Sequence, residues 1–269
     1  MGHRVLGAGQ LRGLSPHKAR YKRLYNRLAI TGVTATGRAG WIQRLREVGT
    51  SVGCRQAIEF GCGTGADAEA LVASTGWDFI GVDIANVALA VMPDRLQRIC
   101  ADVTTMDPVV LGVNRYDLAY CAFLVHLLTA SEKANFYWLV SQVLRPGGIF
   151  MCLTASEEDL RNRRITRYFP SAYTFDIERY LPIETNVAML VNAGFRSVEV
   201  EVVKLGEVSA KQELQFYESR ASSILNLLPR GEVDRGLARL RSALEGSGPD
   251  EGVGERKREW RRTAMIAKK

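Results

Sequence analysis

The residues best suited to chemistry lie in one glycine-rich stretch, Glu59-Phe60-Gly61-Cys62-Gly63-Thr64-Gly65. The apolar residues before it predict a short strand, and residues 66–74 predict a helix, so the glycines fall on a strand-to-helix turn. Glycine lets such a turn bring backbone N–H groups close to a ligand. Because dinucleotide enzymes use a similar turn, this stretch alone does not identify the ligand.

Three acids narrow the choice of ligand. Asp83 ends the second predicted strand, 18 residues after Gly65, where a carboxylate can accept hydrogen bonds from both ribose hydroxyls of an adenosine. Asp102 follows the third predicted strand, where it can accept from an adenine amino group while the N–H of Val103 reaches a ring nitrogen. Glu59 would repel a pyrophosphate but attract an ammonium or a sulfonium. The acids therefore favour a cationic adenosine derivative over a dinucleotide.

These residues need a parallel sheet whose strand ends meet at one edge. Short apolar strands alternate with helices between residues 57 and 153, which predicts an α/β fold with a sheet covered on both faces. Two further strands are predicted at 197–205 and 260–267. Helices are predicted at 16–29, at 38–48, at 131–144 with Ser131 as the N-cap, and across 209–245.

Six stretches together resemble the class I S-adenosylmethionine-dependent methyltransferases: EFGCGTG (59–65), GVDIA (81–85), CADV (100–103), YDLAYCAFLVHLL (116–128), LRPGGIF (144–150) and AGFRSVEVEV (193–202). The resemblance implies a Rossmann-like, doubly wound α/β sheet of seven strands in the order 3-2-1-4-5-7-6, with the last strand antiparallel. It also implies N-terminal helices and a helical cap inserted before that strand. The stretch YNRLA (25–29) is similar to the "YDxLA" entry helix of the small-molecule branch that includes ubiquinone and menaquinone enzymes, with Asn26 replacing the Asp.

The resemblance also implies which residues bind the cofactor, S-adenosylmethionine. The glycines would hold its methionyl part, with an acid near the ammonium. Further residues would bind the ribose, pack on the adenine, read the adenine edge, or close over the cofactor. The implied cofactor-binding residues are Tyr25, Glu59, Gly61, Gly63, Gly65, Asp83, Ile84, Asp102, Val103 and Cys121.

The methyl acceptor is predicted to bind beyond the fourth and fifth strands. His126 follows the fourth strand and could accept a proton from an attacking hydroxyl or amine, or could be a packing histidine. Residues 155–182 are rich in arginine, which could hold a carboxylate or phosphate, and in aromatic residues, which could wall an apolar acceptor. This segment could also be a solvated helix. The acceptor-binding candidates are Phe123, His126, Arg167, Tyr168 and Tyr173.

The expected reaction is an in-line displacement at an activated methyl group, which requires alignment more than acid–base catalysis. The tetrad after strand four is Tyr-Cys-Ala-Phe, unlike the Asp-Pro-Pro-Tyr of nucleic-acid amino methyltransferases. Strand five is followed by Thr-Ala-Ser rather than an Asp-Asn pair, so the metal-dependent catechol type is not supported. No metal is expected.

Composition limits the partners. Of the net charge of +7, residues 1–50 carry ten Lys or Arg against one acid. This basic arm could touch RNA, an acidic membrane or an anionic substrate, or could be a solvated helix face, and the segment contains no known RNA-binding module. Five scattered cysteines predict neither disulfides nor a zinc site, which is typical of a cytoplasmic protein. No apolar stretch is long enough to span a membrane, and no secretory signal is recognised.

Three regions are predicted: a basic tail and helical lid (1–50), a cofactor-binding domain (51–205 with 256–269) and a helical cap (206–255). The leading function is methyl transfer to a small molecule of specialised metabolism, anionic or aromatic. The alternatives are an RNA methyltransferase, a non-catalytic cofactor-binding partner and a nicotinamide oxidoreductase. The oligomeric state is left open, a homodimer included.

Overall fold

The computed structural model describes residues 14–31, 38–245 and 257–269, and within them seven strands form one sheet. The strands are β1 (Gln56–Phe60), β2 (Asp78–Asp83), β3 (Gln97–Cys100), β4 (Tyr116–Ala122), β5 (Leu144–Leu153), β6 (Ser197–Val208) and β7 (Arg258–Lys268). Their order is β3-β2-β1-β4-β5-β7-β6. Strands β1 to β5 are parallel, and β7 is antiparallel to both of its neighbours. The predicted strand order and the antiparallel last strand are confirmed.

Helices cover the sheet and also fill the two long connections around β6. They are α1 (Pro16–Thr31), α2 (Ala39–Ser51), α3 (Ala66–Thr75), α4 (Asn86–Ala90), α5 (Pro108–Leu111), α6 (Ala130–Val143), α7 (Glu157–Arg161), α8 (Arg164–Tyr168), α9 (Ser171–Tyr180), α10 (Ile183–Asn192), α11 (Ala210–Glu218) and α12 (Arg230–Leu244). Two 3-10 turns lie at Val125–Leu127 and Ser223–Asn226. Among the described residues, no helix has the length and apolarity that a membrane crossing requires.

Alternation along β1 shows why the sheet has two buried faces. Ile58 and Phe60 point to one face, where Phe60 meets Phe136 of α6 with ring centroids 5.3 Å apart. Ala57 points to the other face and packs in a cluster with Trp41 and Leu45 of α2. Burial on both faces leaves the carboxyl ends of the strands as the edge where polar residues can reach a ligand.

The start of α6 differs from the prediction. Ser131 is not the N-cap, because Thr129 accepts a hydrogen bond from the Glu132 N–H and the Glu132 carboxylate accepts one from the Thr129 N–H. This reciprocal capping box places the cap three residues before the glutamate. Counting back from Glu132 would have located the cap correctly.

The helical cap includes more of the chain than residues 206–255. Strand β6 continues to Val208, and α11 and α12 follow it. Ile165, Tyr168 and Phe169, from α8 and its end, pack in one apolar cluster with Tyr217 of α11 and Leu237 of α12. The arginine-rich segment therefore forms three short helices, of which α8 and, through Ala172, α9 join the cap.

Helix α1 lies across the top of the sheet near α4. Leu24 and Leu28 are buried against Ala221 of the cap. Asn26 stands where the resembled family has Asp. It accepts a hydrogen bond from the Val87 N–H at 2.9 Å and so satisfies a backbone donor in the first turn of α4. The predicted tail before α1 falls mostly outside the described residues.

Candidate functional site

A cavity of about 750 Å³ lies at the carboxyl edge of the sheet. Its floor is the turn after β1 with the ends of β2, β3 and β4, and its roof is α1. The far wall comes from the arginine-rich helices, the cap and β7. The predicted cofactor residues and the predicted acceptor region therefore open into one space.

The glycine turn has the shape that the sequence predicts. Gly61 and Gly63 have φ of 75° and 53°, and the Gly61 N–H donates to the carbonyl of Val82 at 2.7 Å. A Cβ added to Gly63 would meet nothing within 4 Å, because this residue faces the open cavity. Gly65 is the N-cap of α3 and has φ of 77°. It packs against Met92, because a Cβ added there would lie 2.7 Å from Cγ of that residue, and it does not line the cavity.

Asp83 connects this turn to α4. Its two carboxylate oxygens accept hydrogen bonds from the Gly63 N–H at 2.8 Å and the Ala85 N–H at 2.7 Å. Burial raises the pKa of Asp83, and these backbone donors lower it again in part. Asp83 lines the cavity, and a carboxylate offers more acceptor sites than these donors use, so it can still accept from ribose hydroxyls. Ile84 lines the cavity beside it.

Glu59 lies at the other end of the turn, near two buried polar atoms that have no hydrogen-bond partner. Its carboxylate accepts from the Tyr120 hydroxyl at 3.3 Å, and burial followed by the charge of Asp67 raises its pKa well above the usual range. Arg38 lines the cavity and pairs with Asp67 at 3.1 Å. The Nε of Arg38 and the Oδ2 of Asp67 are buried without a hydrogen-bond partner.

This corner suits the amino-acid end of S-adenosylmethionine. An ammonium group would stabilise the ionised form of Glu59, and a carboxylate would accept from the free Nε of Arg38. The residues present therefore fit the cofactor that the sequence resemblance implies. Sequence reasoning missed Arg38, which carries no motif and stands one residue before α2.

Asp102 and Val103 line the cavity at the end predicted for adenine, together with a lysine that the sequence did not single out. Lys18 of α1 donates to Asp102 at 2.7 Å and to Glu132 at 2.9 Å. Burial alone would raise the pKa of Glu132, but hydrogen bonds from Lys18 and Thr129 lower it to about 2. Lys18 thus attaches the roof helix to the adenine end of the floor.

Two other predicted cofactor residues, Tyr25 and Cys121, differ in whether they line the cavity. Tyr25 of α1 lines the cavity, and its pKa is raised by burial, with Asp83 among the nearby charges. Cys121 is fully buried in β4, where its Sγ lies 3.6 Å from Sγ of Cys152 in β5. Its side chain faces the core, and the role that the resemblance implies for its backbone, beside the methionine part of the cofactor, stays a prediction. No group of described residues is arranged to hold a metal ion.

Phe123 and His126 line the acceptor side of the cavity. Phe123 has φ of 56°, an unusual conformation for an aromatic residue, and stacks on Trp260 of β7 with centroids 6.1 Å apart. His126 stacks on Tyr180 at 4.5 Å, and its Nε2 lies 3.4 Å from Oγ of Ser223. Its Nδ1 is buried without a hydrogen-bond partner.

The surroundings of His126 favour the neutral form of its imidazole. Burial, followed by the positive charges of Arg179, Lys133 and Arg163, lowers its pKa well below the ordinary value. A neutral imidazole can accept a proton at a nitrogen lone pair. The same cations make it costly for the proton to remain there, so His126 would pass it on rather than store it.

The arginine-rich segment contributes to the cavity through residues other than those predicted. Arg163 and Ile165 line the wall, whereas Arg167, Tyr168 and Tyr173 do not. Tyr168 is buried in the cap cluster, and Tyr173 donates to Glu157 at 2.9 Å on the surface. The segment breaks into three short helices, so a single helical period could not predict which side chains face inward.

Comparison with known proteins agrees with this geometry. Residues 57–148 match a family model described as a methyltransferase domain. No significant match is found among curated protein sequences.

Several solved structures share the fold at low sequence identity. One is phosphoethanolamine N-methyltransferase 2 of Haemonchus contortus in complex with phosphomonomethylethanolamine and S-adenosylhomocysteine (TM-score 0.57, 15% identity, 95% of this chain and 60% of that one). Another is a SAM-dependent methyltransferase of Archaeoglobus fulgidus (0.50, 17%, 86% and 94%). A third is the [4+2]-cyclase SpnF (0.56, 19%, 95% and 97%). The chain thus spans 60% of the length of the Haemonchus enzyme.

The strand order, the glycine turn with its acids, and the family match over β1 to β5 agree with one another. Residues 57–148 are therefore similar to a methyltransferase domain, and the sheet around them has the strand order that the resemblance to class I, S-adenosylmethionine-dependent methyltransferases implies.

Proposed function

We propose that this protein transfers the methyl group of S-adenosylmethionine to a small molecule bound in the same cavity. The observation that carries the proposal is the continuity of that cavity. Gly63 and Asp83 line one end, and Phe123, His126 and Trp260 line the other. A cofactor at the first end would direct its reactive group toward a molecule at the second.

S-Adenosylmethionine supplies a methyl group already activated by its sulfonium, so the protein has mainly to align the reactants and exclude water. Gly63 leaves room for the methionyl part, and Asp83 holds the ribose. Glu59 and Arg38 hold the charged amino-acid end. Helix α1 covers the site through Tyr25, which removes solvent from the reaction.

His126 is proposed to accept the proton that an attacking hydroxyl or amine releases. The acceptor's electron pair forms the new bond to the methyl carbon as the bond from carbon to sulfur breaks, and the proton moves to an imidazole nitrogen. The unpartnered Nδ1 and the neutral state of the ring support this role. The Phe123–Trp260 stack would form an apolar wall beside the reacting atoms.

A small acceptor is favoured over RNA because cations of the N-terminal region are used inside the molecule. Lys18, Arg38 and Arg44 pair with carboxylates of the rest of the chain. The Haemonchus neighbour was crystallised with a small phosphorylated acceptor. The ubiquinone-like branch remains a prediction from the YNRLA stretch. The [4+2]-cyclase neighbour shows that this fold also serves other reactions, so turnover must be measured directly.

The cofactor half of the proposal is tested by equilibrium titration with S-adenosylhomocysteine and with NADH. Asp83→Asn should weaken S-adenosylhomocysteine binding about a hundredfold, since a carboxylate that accepts from two hydroxyls is lost. Asp94→Asn is the matched control, because the Asp94 side chain is 89% exposed and pairs with Arg98. Tighter binding of NADH than of S-adenosylhomocysteine would sink the proposal.

The transfer itself is tested with isotope-labelled cofactor and a metabolite extract of the source organism, followed by mass spectrometry. We expect label in a small molecule. Label in RNA would reassign the acceptor, and cofactor binding without any labelled product would identify a non-catalytic partner protein.

A further inference from the structure

The wall at the acceptor end of the cavity, counting the residues packed behind its lining, contains more arginine than its acids can pair. Asp176 of α9 is fully buried, and its two oxygens accept from Arg163 at 2.6 Å and from Arg179 at 2.8 Å. One carboxylate therefore serves two guanidinium groups. Because Arg163 also lines the cavity, part of its charge faces the space where an acceptor would lie.

A second carboxylate is shared in the same way. Glu213 of α11 pairs with Arg164 of α8, at 2.8 Å, and with Arg258 of β7. The Nε atoms of Arg179 and Arg258 are buried and have no hydrogen-bond partner. The four arginines thus outnumber the two acids. The buried atoms without a hydrogen-bond partner include arginine donors and also Oε2 of Glu213.

Arg262 adds a fifth guanidinium group, and it is the one best placed for a ligand. It lines the cavity, as does Trp260, two residues earlier on the same face of β7. Its guanidinium lies 5.8 Å from the Trp260 ring and donates to the carbonyl of Arg261 at 2.6 Å. Among the described residues, no carboxylate lies within ion-pair distance of it.

The surroundings of Arg262 are electropositive. Burial, followed by the charge of Arg163, lowers its pKa, and Arg258 acts in the same direction. Asp159 and Tyr180 oppose this shift. The Oδ2 of Asp159 is already used by the N–H and hydroxyl of both Ser156 and Thr263, at 2.6 to 3.2 Å.

We propose that the methyl acceptor carries a carboxylate or phosphate group and that Arg262, with Arg163, binds it. The inference rests on the proposed function, because it concerns the acceptor of that same transfer. A guanidinium fork matches the two oxygens of such an anion and can bind it with two parallel hydrogen bonds. The anion would supply the negative charge that Asp176 and Glu213 do not.

The bound anion also sets the orientation of the acceptor. Because Arg163 and Arg262 line the acceptor end and Asp83 lines the cofactor end, an anionic acceptor binds with its charge away from the cofactor. The uncharged part of the acceptor then lies along the Phe123–Trp260 stack, near His126. Arg262 is accordingly a binding residue and takes no part in bond making.

The test uses the full-length protein saturated with S-adenosylhomocysteine and three small probes. Benzoate and benzamide have similar shapes but differ in charge, and phenyl phosphate distinguishes a phosphate site from a carboxylate site. Affinities are measured by NMR titration at low ionic strength for the wild type, Arg262→Gln and Arg262→Lys. The matched control is Arg261→Gln, whose exposed side chain lies on the opposite face of β7 and pairs with Glu259.

We expect benzoate or phenyl phosphate to bind the wild type at least about tenfold more tightly than benzamide. Arg262→Gln should abolish that preference, Arg262→Lys should keep it at reduced affinity because the fork is lost, and Arg261→Gln should leave it unchanged. Thermal unfolding checks that each variant folds, and the lysine variant carries the test if the glutamine variant does not fold.

Equal affinities of the wild type for the three probes, or no detectable binding of either anion, would overturn the anion site. So would an anion preference that survives in Arg262→Gln. Failure of the proposed function would be seen differently, as no binding of S-adenosylhomocysteine or no labelled product. In that case the probe titrations can be repeated without S-adenosylhomocysteine, so that the anion site is still tested.

Discussion

The two ends of the cavity are built from different parts of the chain. The cofactor end uses the turn after β1 and the ends of β2 and β3, so this part of its floor comes from residues 59–103. The acceptor end joins side chains from residue 123 to residue 262, carried by α8, the cap and β7. Neighbouring parallel strands assemble the first end, whereas the second forms only when distant segments meet.

The two ends also differ in how their charges are satisfied. Asp83 and Asp102 accept hydrogen bonds on both oxygens from nearby donors. At the acceptor end, Asp176 and Glu213 each serve two arginines, and Arg262 has no carboxylate partner among the described residues. The difference indicates that the fold itself provides the cofactor end, while the inserted segments determine the acceptor.

Replacing His126 probes the acceptor end alone and should have the largest effect. His126→Gln removes the proposed proton acceptor but keeps a polar side chain of similar length. We expect turnover to fall at least about a hundredfold, with S-adenosylhomocysteine affinity unchanged. Labelled-product formation and equilibrium titration measure the two quantities. Near-wild-type turnover would identify His126 as a packing residue stacked on Tyr180.

His126→Gln should also change how the free energy of unfolding depends on pH. Because the pKa of His126 is lowered in the folded state, the unfolded chain binds a proton that the folded chain does not. Stability that is complete above about pH 6.5 is therefore lost as the pH falls below that value. His126→Gln should flatten this decline, by up to about 1.4 kcal/mol per pH unit. Chemical denaturation at pH 7.5 and pH 5.5 would show it, and identical slopes would contradict the lowered pKa.

Most residues of the predicted cofactor site lie at one end of the cavity, because their signals in the sequence are local; their binding of the cofactor stays a prediction. The glycine turn, Asp83 and Asp102 each follow a recognisable strand, and parallel strands bring their carboxyl ends together. Arg38 and Lys18 were missed because each meets its partner across the fold. Lys18 is far in sequence from Asp102, and only the packing of α1 joins them.

The acceptor end was predicted only in outline. The arginine-rich segment does reach the cavity, but through Arg163 rather than Arg167, because helix breaks reset the direction of the side chains. Arg262 was missed although its strand was predicted. Alternation along β7 places Trp260 and Arg262 on one face, yet the sequence does not say which face looks into the cavity.

Replacing Gly63 tests whether the cofactor end is a preformed cradle. In Gly63→Ala the new methyl group would enter open cavity space, so we expect cofactor affinity to fall about tenfold to a hundredfold. Gly53→Ala is the matched control, because Gly53 has φ of 64°, also meets nothing within 4 Å, and lies outside the cavity. Both variants should lose about 1–2 kcal/mol of stability from the left-handed backbone.

The contrast between the two glycine variants, measured by S-adenosylhomocysteine titration and thermal unfolding, carries the result. Equal affinities in Gly63→Ala and Gly53→Ala would mean that the cofactor does not approach Gly63. If Gly63→Ala loses stability but keeps its affinity for S-adenosylhomocysteine, Gly63 is needed only for the backbone conformation of the turn.

Replacing Lys18 tests the link between the roof and the cofactor end, and its effect should be the smallest. Lys18→Met keeps the length of the side chain but removes the charge that joins α1 to Asp102 and Glu132. Because a loosened roof opens more often, we expect S-adenosylhomocysteine to dissociate about fivefold faster, with little change in association. Stopped-flow measurements give both rates. Arg23→Met, at an exposed position of the same helix, should change neither.

The direction of the Lys18 effect decides between two roles for Asp102. If Asp102 binds Lys18 and adenine together, its Oδ2 has a lone pair to spare and removing the lysine only loosens the roof. If Lys18 instead occupies the position that the adenine amino group needs, Lys18→Met would bind S-adenosylhomocysteine more tightly than the wild type does. Tighter binding would therefore make α1 a competitor of the cofactor, and the cofactor end would no longer be the fully preformed half of the cavity.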